Sequence, residues 1–337
     1  MLQALSHRLH RKLLSLSGLL ISIILIWLVL FSTLIQAQTF PSKPITVVSP
    51  FAPGGPSDLI ARTMAIKLSE GLGVPVVVEN RGGAGATIGT SIVARANPDG
   101  YTLLIAGQSS LAFAPHLYPK LSYDPLRDFS PISNVALAPY ALVVSSRIDV
   151  KNIAELLKLA RSKPQGLTYA TSGAGSVSHL ATAMLISASG TELLHVPYKG
   201  MIPAVGAVLS GDVDMVFADL GSVEVHIRAG KLRLLAVSGR TRASLVPNVP
   251  TMIESGFKDL VAEGRFGFLA PAGTPREIVM RLHGILATAS QSTDVRERFA
   301  NISYEPTSDT PDQFMALIKS DHERFGRLIR QLKITTD

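Results

Sequence analysis

The stretch "SPFAPGGPSDLIAR", residues 49–62, begins at the end of a short apolar run and continues as an amphipathic one. This order is typical of a β-strand that turns into a helix. Gly54 and Gly55 have no side chain, so a ligand can come close to the backbone of this turn. The free N–H groups and the dipole of a helix N-terminus favour anions. We expect Ser57 or Asp58 to cap the helix.

Short apolar runs alternate with helical patterns through most of the chain. The runs that we interpret as strands are "PITVVSPF", "VPVVVEN", "YTLLIAG", "PYALVVSS", "GLTYATSG", "ELLHVPYKG", "VDMVFADL" and "LRLLAVSG". Strands that alternate with helices predict parallel α/β sheets. The runs fall into two successive sets, although the sequence shows no internal repeat. We therefore predict two α/β lobes with a ligand cleft between them, residues 38–138 plus 266–337 forming lobe 1 and residues 139–265 forming lobe 2.

Two late helices carry sequence signals for their first residues. Thr274 and Glu277 fit a capping box, with Pro275 at the first helical position. Thr310 and Pro311 repeat this start, and an apolar stripe follows them. We expect this terminal helix to return and cover one of the lobes.

Residues 1–37 have the order of a secretory signal peptide. Arg8, Arg11 and Lys12 precede an uncharged apolar stretch that ends at Ala37, after which we expect cleavage. The alternative is an uncleaved membrane anchor, because residues 19–35 approach membrane-spanning length. Both alternatives place the rest of the chain outside the cytoplasm. An exported chain without cysteine suits a bacterial periplasm.

Composition and spacing exclude several classes of protein. The formal net charge is +7, but Lys and Arg are scattered, so we expect no nucleic-acid partner. The absence of cysteine excludes disulfides, thiolate metal sites and a cysteine nucleophile. The eight histidines lack metal-ligand spacing, and Gly83, Gly85 and Gly89 do not form a dinucleotide fingerprint. We expect neither a metal nor a cofactor.

Two further glycine-rich loops follow apolar runs. The second loop is "ENRGGAGATIG", residues 79–89, and the third is "YATSGAGSVSHLA", residues 169–181, which adds three serine hydroxyls. Open α/β sheets bind ligands at the carboxyl ends of their strands, where such loops lie. The three loops together predict a cleft lined by amides and hydroxyls, suited to a small carboxylate.

The chain resembles the Bug family, the substrate-binding proteins of tripartite tricarboxylate transporters, over nearly all of its length after residue 37. The segments that carry the resemblance are "VVSPFAPGGPSDLIAR", "VVVENRGGAGATIGT", "NPDGYTLLIAG", "LYPKLSYDPLRDFSPIS", "YATSGAGSVSHLA", "HVPYKG", "GDVDMVFADL", "HIRAGKLRLLAVSGRTR", "PNVPTMIESGF" and "FLAPAGTPREIVMRL". The resemblance implies a type II periplasmic binding protein with two α/β lobes joined by crossing strands. Such a protein closes on a small organic acid and delivers it to membrane permease subunits; we expect it to act as a monomer and not as an enzyme.

The resemblance also implies which residues contact the ligand. Those residues are Phe51, Ala52, Gly54, Gly55 and Asp58 on one side of the cleft, and Ser172, Gly175, Ser176 and His179 on the other. We add Gly85, Ala86, Thr87, Tyr198, Asp219 and Arg265 as candidates. Some of these depart from the family pattern: Ala86 and Thr87 stand where relatives have Gly-Asn, Arg265 stands at or next to a usual Trp, and the Asp219 carboxylate is shifted by one position.

Three of these candidates each have two alternative roles. Asp219 either binds a ligand amino group or a water, or caps a helix. Tyr198 either presents its hydroxyl to the cleft or packs its ring. Arg265 either holds a second carboxylate of the ligand or points outward into solvent.

Two other functions are alternatives to transport. The first is a binding protein that reports its ligand to a membrane sensor, which needs the same cleft. The second is an exported hydrolase that uses Ser176, His179 and Asp219. The chain has no G-x-S-x-G nucleophile elbow, which counts against the hydrolase.

Overall fold

The computed structural model describes residues 40–163, 166–243, 245–332 and 334–335. The predicted signal peptide, residues 1–37, lies outside them. From Lys43 onward the described residues form one compact unit. None of the helices among the described residues is long and apolar enough to cross a membrane.

Strands and helices alternate along the described chain, as the sequence predicts. The strands are β1 (Ile45–Ser49), β2 (Val76–Asn80), β3 (Thr102–Gly107), β4 (Phe129–Ser145), β5 (Leu167–Thr171), β6 (Leu193–Pro197), β7 (Met215–Asp219), β8 (Leu232–Val237), β9 (Glu263–Pro271) and β10 (Glu305–Pro306). The helices are α1 (Pro56–Leu72), α2 (Thr87–Ala94), α3 (Ala114–Leu117), α4 (Ile153–Ser162), α5 (Val177–Ser189), α6 (Met201–Ser210), α7 (Leu220–Arg228), α8 (Arg276–Gln291), α9 (Thr293–Ala300) and α10 (Pro311–Gln331). A 3-10 turn spans Ala84–Ala86, and a π-helical turn spans Ser109–Phe113.

Two sets of strands share the same order. In the first set β1 lies between β2 and β3 as a parallel trio, and β9 follows antiparallel to β3. In the second set β5 lies between β6 and β7 as a parallel trio, and β4 follows antiparallel to β7. This mixed α/β arrangement confirms the predicted fold class, and the common strand order shows a structural repeat that the sequence hides.

The long strand β4 belongs to both sets. Its residues 129–139 pair with β9, and its residues 140–145 pair with β7 and β8. The hydrogen-bonded strand path is therefore continuous through β4. Strand β9 brings the chain back to the first set after β8. These two strands are the crossing connections that the resemblance implies.

The terminal helix α10 packs against both sets, which corrects the expectation that it covers one lobe. Phe314 and Ile318 join the apolar core around Val48 and Leu104. About two and three turns after Ile318, Phe325 and Ile329 join the core of the second set. The Phe325 ring meets Phe113 edge to face, with 4.7 Å between centroids. A single amphipathic helix thus contributes to both hydrophobic cores.

The predicted helix starts are partly confirmed. Thr310 forms the capping box with Gln313, and Pro311 is the first residue of α10. The prediction for Thr274 is wrong: α8 begins one residue later than expected, with Pro275 as its N-cap, and the Thr274 hydroxyl donates to the Pro271 carbonyl. The prediction for α1 is also wrong, because Gly55 is its N-cap and no side chain caps it.

Thr310→Ala is expected to lower the free energy of unfolding by about 1 kcal/mol, because the variant leaves a helix N–H without its acceptor. Thr310→Ser keeps the hydroxyl and is expected to stay close to the wild type. Urea unfolding followed by circular dichroism measures both variants. Equal stability of the alanine and serine variants would contradict the assignment of the cap.

Candidate ligand-binding site

The first and second glycine loops lie side by side because β1 and β2 are neighbours. The first loop follows β1, and the second follows β2. A Cβ atom at Gly82 would lie 3.3 Å from the carbonyl carbon of Phe51 and 3.4 Å from the nitrogen of Ala52. Glycine at position 82 therefore allows the two loops to touch.

Asp58 holds the first loop in place. One carboxylate oxygen accepts from the Gly54 N–H and from Arg62 Nε, each at 3.0 Å, and the other accepts from Asn80 Nδ2 at 2.9 Å. Asn80 Nδ2 also lies 3.2 Å from the Phe51 carbonyl oxygen, to which it donates. Burial alone would raise the pKa of Asp58, but these donors together lower it. Both oxygens accept hydrogen bonds within the protein, so Asp58 supports the first loop.

The backbone of the second loop is left-handed at several residues. Ala84 has φ 46°, Gly85 has φ 62° and Ala86 has φ 75°. This region disfavours residues with a Cβ by about 1–2 kcal/mol each. A glycine at position 86, the family pattern, fits this conformation without that cost. The Thr87 hydroxyl donates to the Ala84 carbonyl at 2.8 Å and closes the turn.

Serine hydroxyls brace the third loop from inside. The Ser172 N–H donates to Ser178 Oγ at 3.0 Å, and Ser176 Oγ lies 2.9 Å from the same atom. Ser176 also donates to the Gly173 carbonyl at 2.7 Å and caps α5 by accepting the His179 N–H. The hydroxyls thus fix the backbone between Ser172 and His179.

His179 supports the third loop through its ring. Its Nδ1 accepts the Gly175 N–H at 3.1 Å, which requires a neutral nitrogen at that position. The ring stacks on His195 at 4.2 Å, and His195 stacks on Tyr169 at 4.9 Å. Burial, with a smaller contribution from His195, lowers the pKa of His179 to about 4. His179 is therefore neutral at pH 7.

Leu117 and Tyr118 contact the second and third loops, although neither residue was predicted to belong to the site. A Cβ atom at Gly85 in the second loop would lie 2.8 Å from Tyr118 Oη. A Cβ atom at Gly175 in the third loop would overlap Leu117 Cδ1. The signal was present in the family segment "LYPKLSYDPLRDFSPIS", which begins at these two residues. Leu117 and Tyr118 thus join the second and third loops, and the Gly82 contact joins the second loop to the first.

Asp219 caps α7, which confirms the structural alternative for this residue. It accepts the Ser222 N–H at 3.0 Å, and the Ser222 hydroxyl lies within 2.9 Å of both carboxylate oxygens. Burial raises the pKa of Asp219, and burial together with the Asp219 charge raises the pKa of Tyr140 and of Tyr304. The hydrolase constellation is not formed, because the hydroxyl of Ser176 donates to a carbonyl and Asp219 is bound to Ser222.

Two aromatic candidates lie beside the loops. The Tyr198 ring packs against the apolar core formed by β7, α6 and α7, and its N–H donates to the Thr171 carbonyl. This contact agrees with the packing alternative for Tyr198. Phe51 is half-buried, and its ring lies edge to face with the Phe266 ring at a centroid distance of 6.0 Å.

Arg265 forms ion pairs with two carboxylates of the protein. Its guanidinium donates to Glu263 at 2.8 Å and to Asp321 of α10 at 3.0 Å. The side chain is only 16% exposed, and the two carboxylates are 9% and 11% exposed. Asp321 also accepts from Gln108 Nε2 at 3.2 Å. Arg265 thus links β9 to α10, and its burial contradicts the alternative that it points outward into solvent.

The family model for the tripartite tricarboxylate transporter family receptor matches residues 60–334. The chain belongs to this family. Protein BugT of Bordetella pertussis is 37% identical over 298 residues, which cover 88% of this chain and 91% of BugT.

Two solved structures of similar proteins contain organic acids. The structure of R. palustris Rpa4515 with adipate is 32% identical with a TM-score of 0.81, and the match covers 88% of this chain and 99% of that one. MatC (Rpa3494) from Rhodopseudomonas palustris with bound malate is 31% identical with a TM-score of 0.77, and the match covers 86% and 100%. Family relatives with this fold are thus binding proteins of transport systems.

Arg265→Ala is expected to lower the free energy of unfolding by about 3 kcal/mol, because it leaves two buried carboxylates without their partner. Arg127→Ala removes an arginine that is 85% exposed beside Asp124 and is expected to cost less than about 1 kcal/mol. Chemical denaturation measures the free energy of unfolding of both variants. A loss at position 265 as small as that at position 127 would contradict the buried network.

Acid is expected to destabilise the wild type partly through His179. The unfolded chain takes up a proton near pH 6.5, whereas the folded pKa is about 4, so stability is lost as the pH falls from 6.5 to 4. His179→Asn keeps an acceptor near Nδ1 but does not titrate, so its stability should fall less over this interval. Urea unfolding at several pH values measures the free energy of unfolding of both proteins. Parallel plots of this free energy against pH would contradict the lowered pKa of His179.

Proposed function

We propose that this protein is a periplasmic solute-binding protein that captures a small organic carboxylate for a tripartite tricarboxylate permease. The observation that carries the proposal is that the second and third glycine loops contact Tyr118 and Leu117, while the second loop also contacts the first through Gly82. Family membership and the adipate and malate bound to two relatives support the same class of ligand.

The chemistry of the loops suits an anion. The first loop leads into α1 and the third into α5, and each helix N-terminus has N–H groups without partners in its own helix. These N–H groups and the helix dipoles attract a carboxylate. Because Asp58 and His179 hold the two loops by side-chain hydrogen bonds, the backbone donors are positioned before the ligand arrives.

The lobe limits of this proposal follow β4 and β9. We assign residues 38–138 and 266–337 to lobe 1 and residues 139–265 to lobe 2. The change of partners within β4, after residue 139, supports the first limit. Closure of the two lobes around the ligand would bring the first and third loops to its opposite sides.

The proposed cellular role depends on residues 1–37. Export by this segment places the protein in the periplasm, where it acts as a monomer and passes its ligand to membrane permease subunits. The protein binds without turnover, since the relatives are transport binding proteins and the side chains of Ser176 and Asp219 are engaged in structural hydrogen bonds.

Native mass spectrometry of the purified protein, before and after denaturation, tests for a bound acid. A thermal-shift screen with malate, adipate, succinate, citrate, glutamate and benzoate then tests binding directly. At least one acid should stabilise the ligand-free protein by about 2.7 kcal/mol at a hundredfold excess over its Kd. A folded, ligand-free protein that responds to none of them would contradict the proposal.

Substitution of Gly55 locates the site. Gly55 has φ −81°, and a Cβ atom there would have the Ala52 carbonyl oxygen at 3.8 Å as its nearest neighbour. Gly55→Asp is therefore expected to fold, but its charge repels an anion and should reduce affinity more than tenfold. Gly55→Asn has the same size without the charge and is the matched control. Equal affinities of the two variants would place the anion elsewhere.

A further inference from the structure

We propose that Tyr118 donates a hydrogen bond to a second carboxylate of the bound acid and thereby gives the protein a preference for diacids. This inference rests on the proposed function. It names a specificity-determining residue that lies outside the three loops.

The position of Tyr118 is fixed on three sides. Its own N–H donates to the Ala114 carbonyl at 2.9 Å and closes the last turn of α3. The preceding Leu117 packs against the apolar core of the second set of strands and against Gly175. His116 Nε2 lies 3.0 Å from the His322 carbonyl oxygen of α10. The segment that ends at Tyr118 is therefore held to the third loop by Leu117 and to the terminal helix by His116.

The Tyr118 hydroxyl lies directly over the second loop. Its oxygen would be 2.8 Å from a Cβ atom at Gly85, and its ring carbons would be 3.4 Å away. Gly85 also has φ 62°, so both its backbone and the ring above it favour glycine. The second loop touches the first through Gly82. The second loop thus contacts both the Tyr118 hydroxyl and the first loop, which leads into the proposed carboxylate site at the N-terminus of α1.

The hydroxyl is available for a ligand. Tyr118 is half-buried, and within the described residues no hydrogen bond engages its hydroxyl, whereas the nearby Tyr123 donates to the Ser110 carbonyl at 2.7 Å. A partly buried O–H group without a protein acceptor is suited to a charged acceptor from the ligand. Arg265, the alternative donor, is bound to Glu263 and Asp321. A neutral phenol therefore replaces the expected guanidinium at the second carboxylate.

The test compares Tyr118→Phe with the wild type by isothermal titration calorimetry, with adipate, malate and hexanoate as probes. The wild type should bind at least one of the two diacids more tightly than hexanoate. Tyr118→Phe should weaken that diacid at least tenfold, the range for a hydrogen bond to a charged group, and should change hexanoate binding less than twofold. Tyr101→Phe is the control. It removes a hydroxyl directly before β3, whereas the loops of the site follow the last residues of their strands, and it should change the affinity for neither the diacid nor hexanoate.

The outcomes separate the inference from the proposed function. A wild type that binds diacids while Tyr118→Phe binds them equally well overturns only the inference. A preference of the wild type for hexanoate, or equal losses for diacid and monoacid, also overturns it. If the wild type binds none of the three probes nor any acid of the screen, the proposed function fails as well. Unfolding curves of Tyr118→Phe confirm that the variant is folded.

Discussion

The hydrogen bonds of β4 determine where every loop of the site lies. Its first half pairs with β9 and β10, and its second half pairs with β7 and β8. Buried backbone N–H and C=O groups must be paired, so neither sheet can lose this strand without a large cost. Pro139, which has no N–H to pair, lies where the strand leaves one set and enters the other. The strand therefore changes sheets at a residue that needs one hydrogen bond less.

Side chains hold the backbone of the first and third loops, the part of these loops that the proposed function assigns to the ligand. Asp58 binds the first loop to α1 and β2, and the hydroxyls around Ser178 together with the His179 ring bind the third. A ligand that contacts mainly N–H groups is recognised by its charge and shape. Under the proposed function, discrimination between acids would fall to the few side chains around the loops.

The local features of this fold could be predicted from the sequence, and the long-range ones could not. Apolar runs predicted the strands, glycines predicted the loops, and Thr310 with Pro311 predicted the start of α10, because these signals depend on neighbouring residues. Arg265 was misjudged because its partner Asp321 lies 56 residues away on another element. Leu117 and Tyr118 were missed because their importance comes from contacts with Gly175 and Gly85, which no local pattern encodes.

Helix α10 has a consequence for the order in which the chain can fold. Its residues Phe314 and Ile318 belong to one apolar core, and Phe325 and Ile329 belong to the other. A ribosome-bound chain that ends before residue 311 lacks these four side chains and leaves both cores open. The two sets of strands are therefore coupled through one helix, and neither apolar core is complete without it.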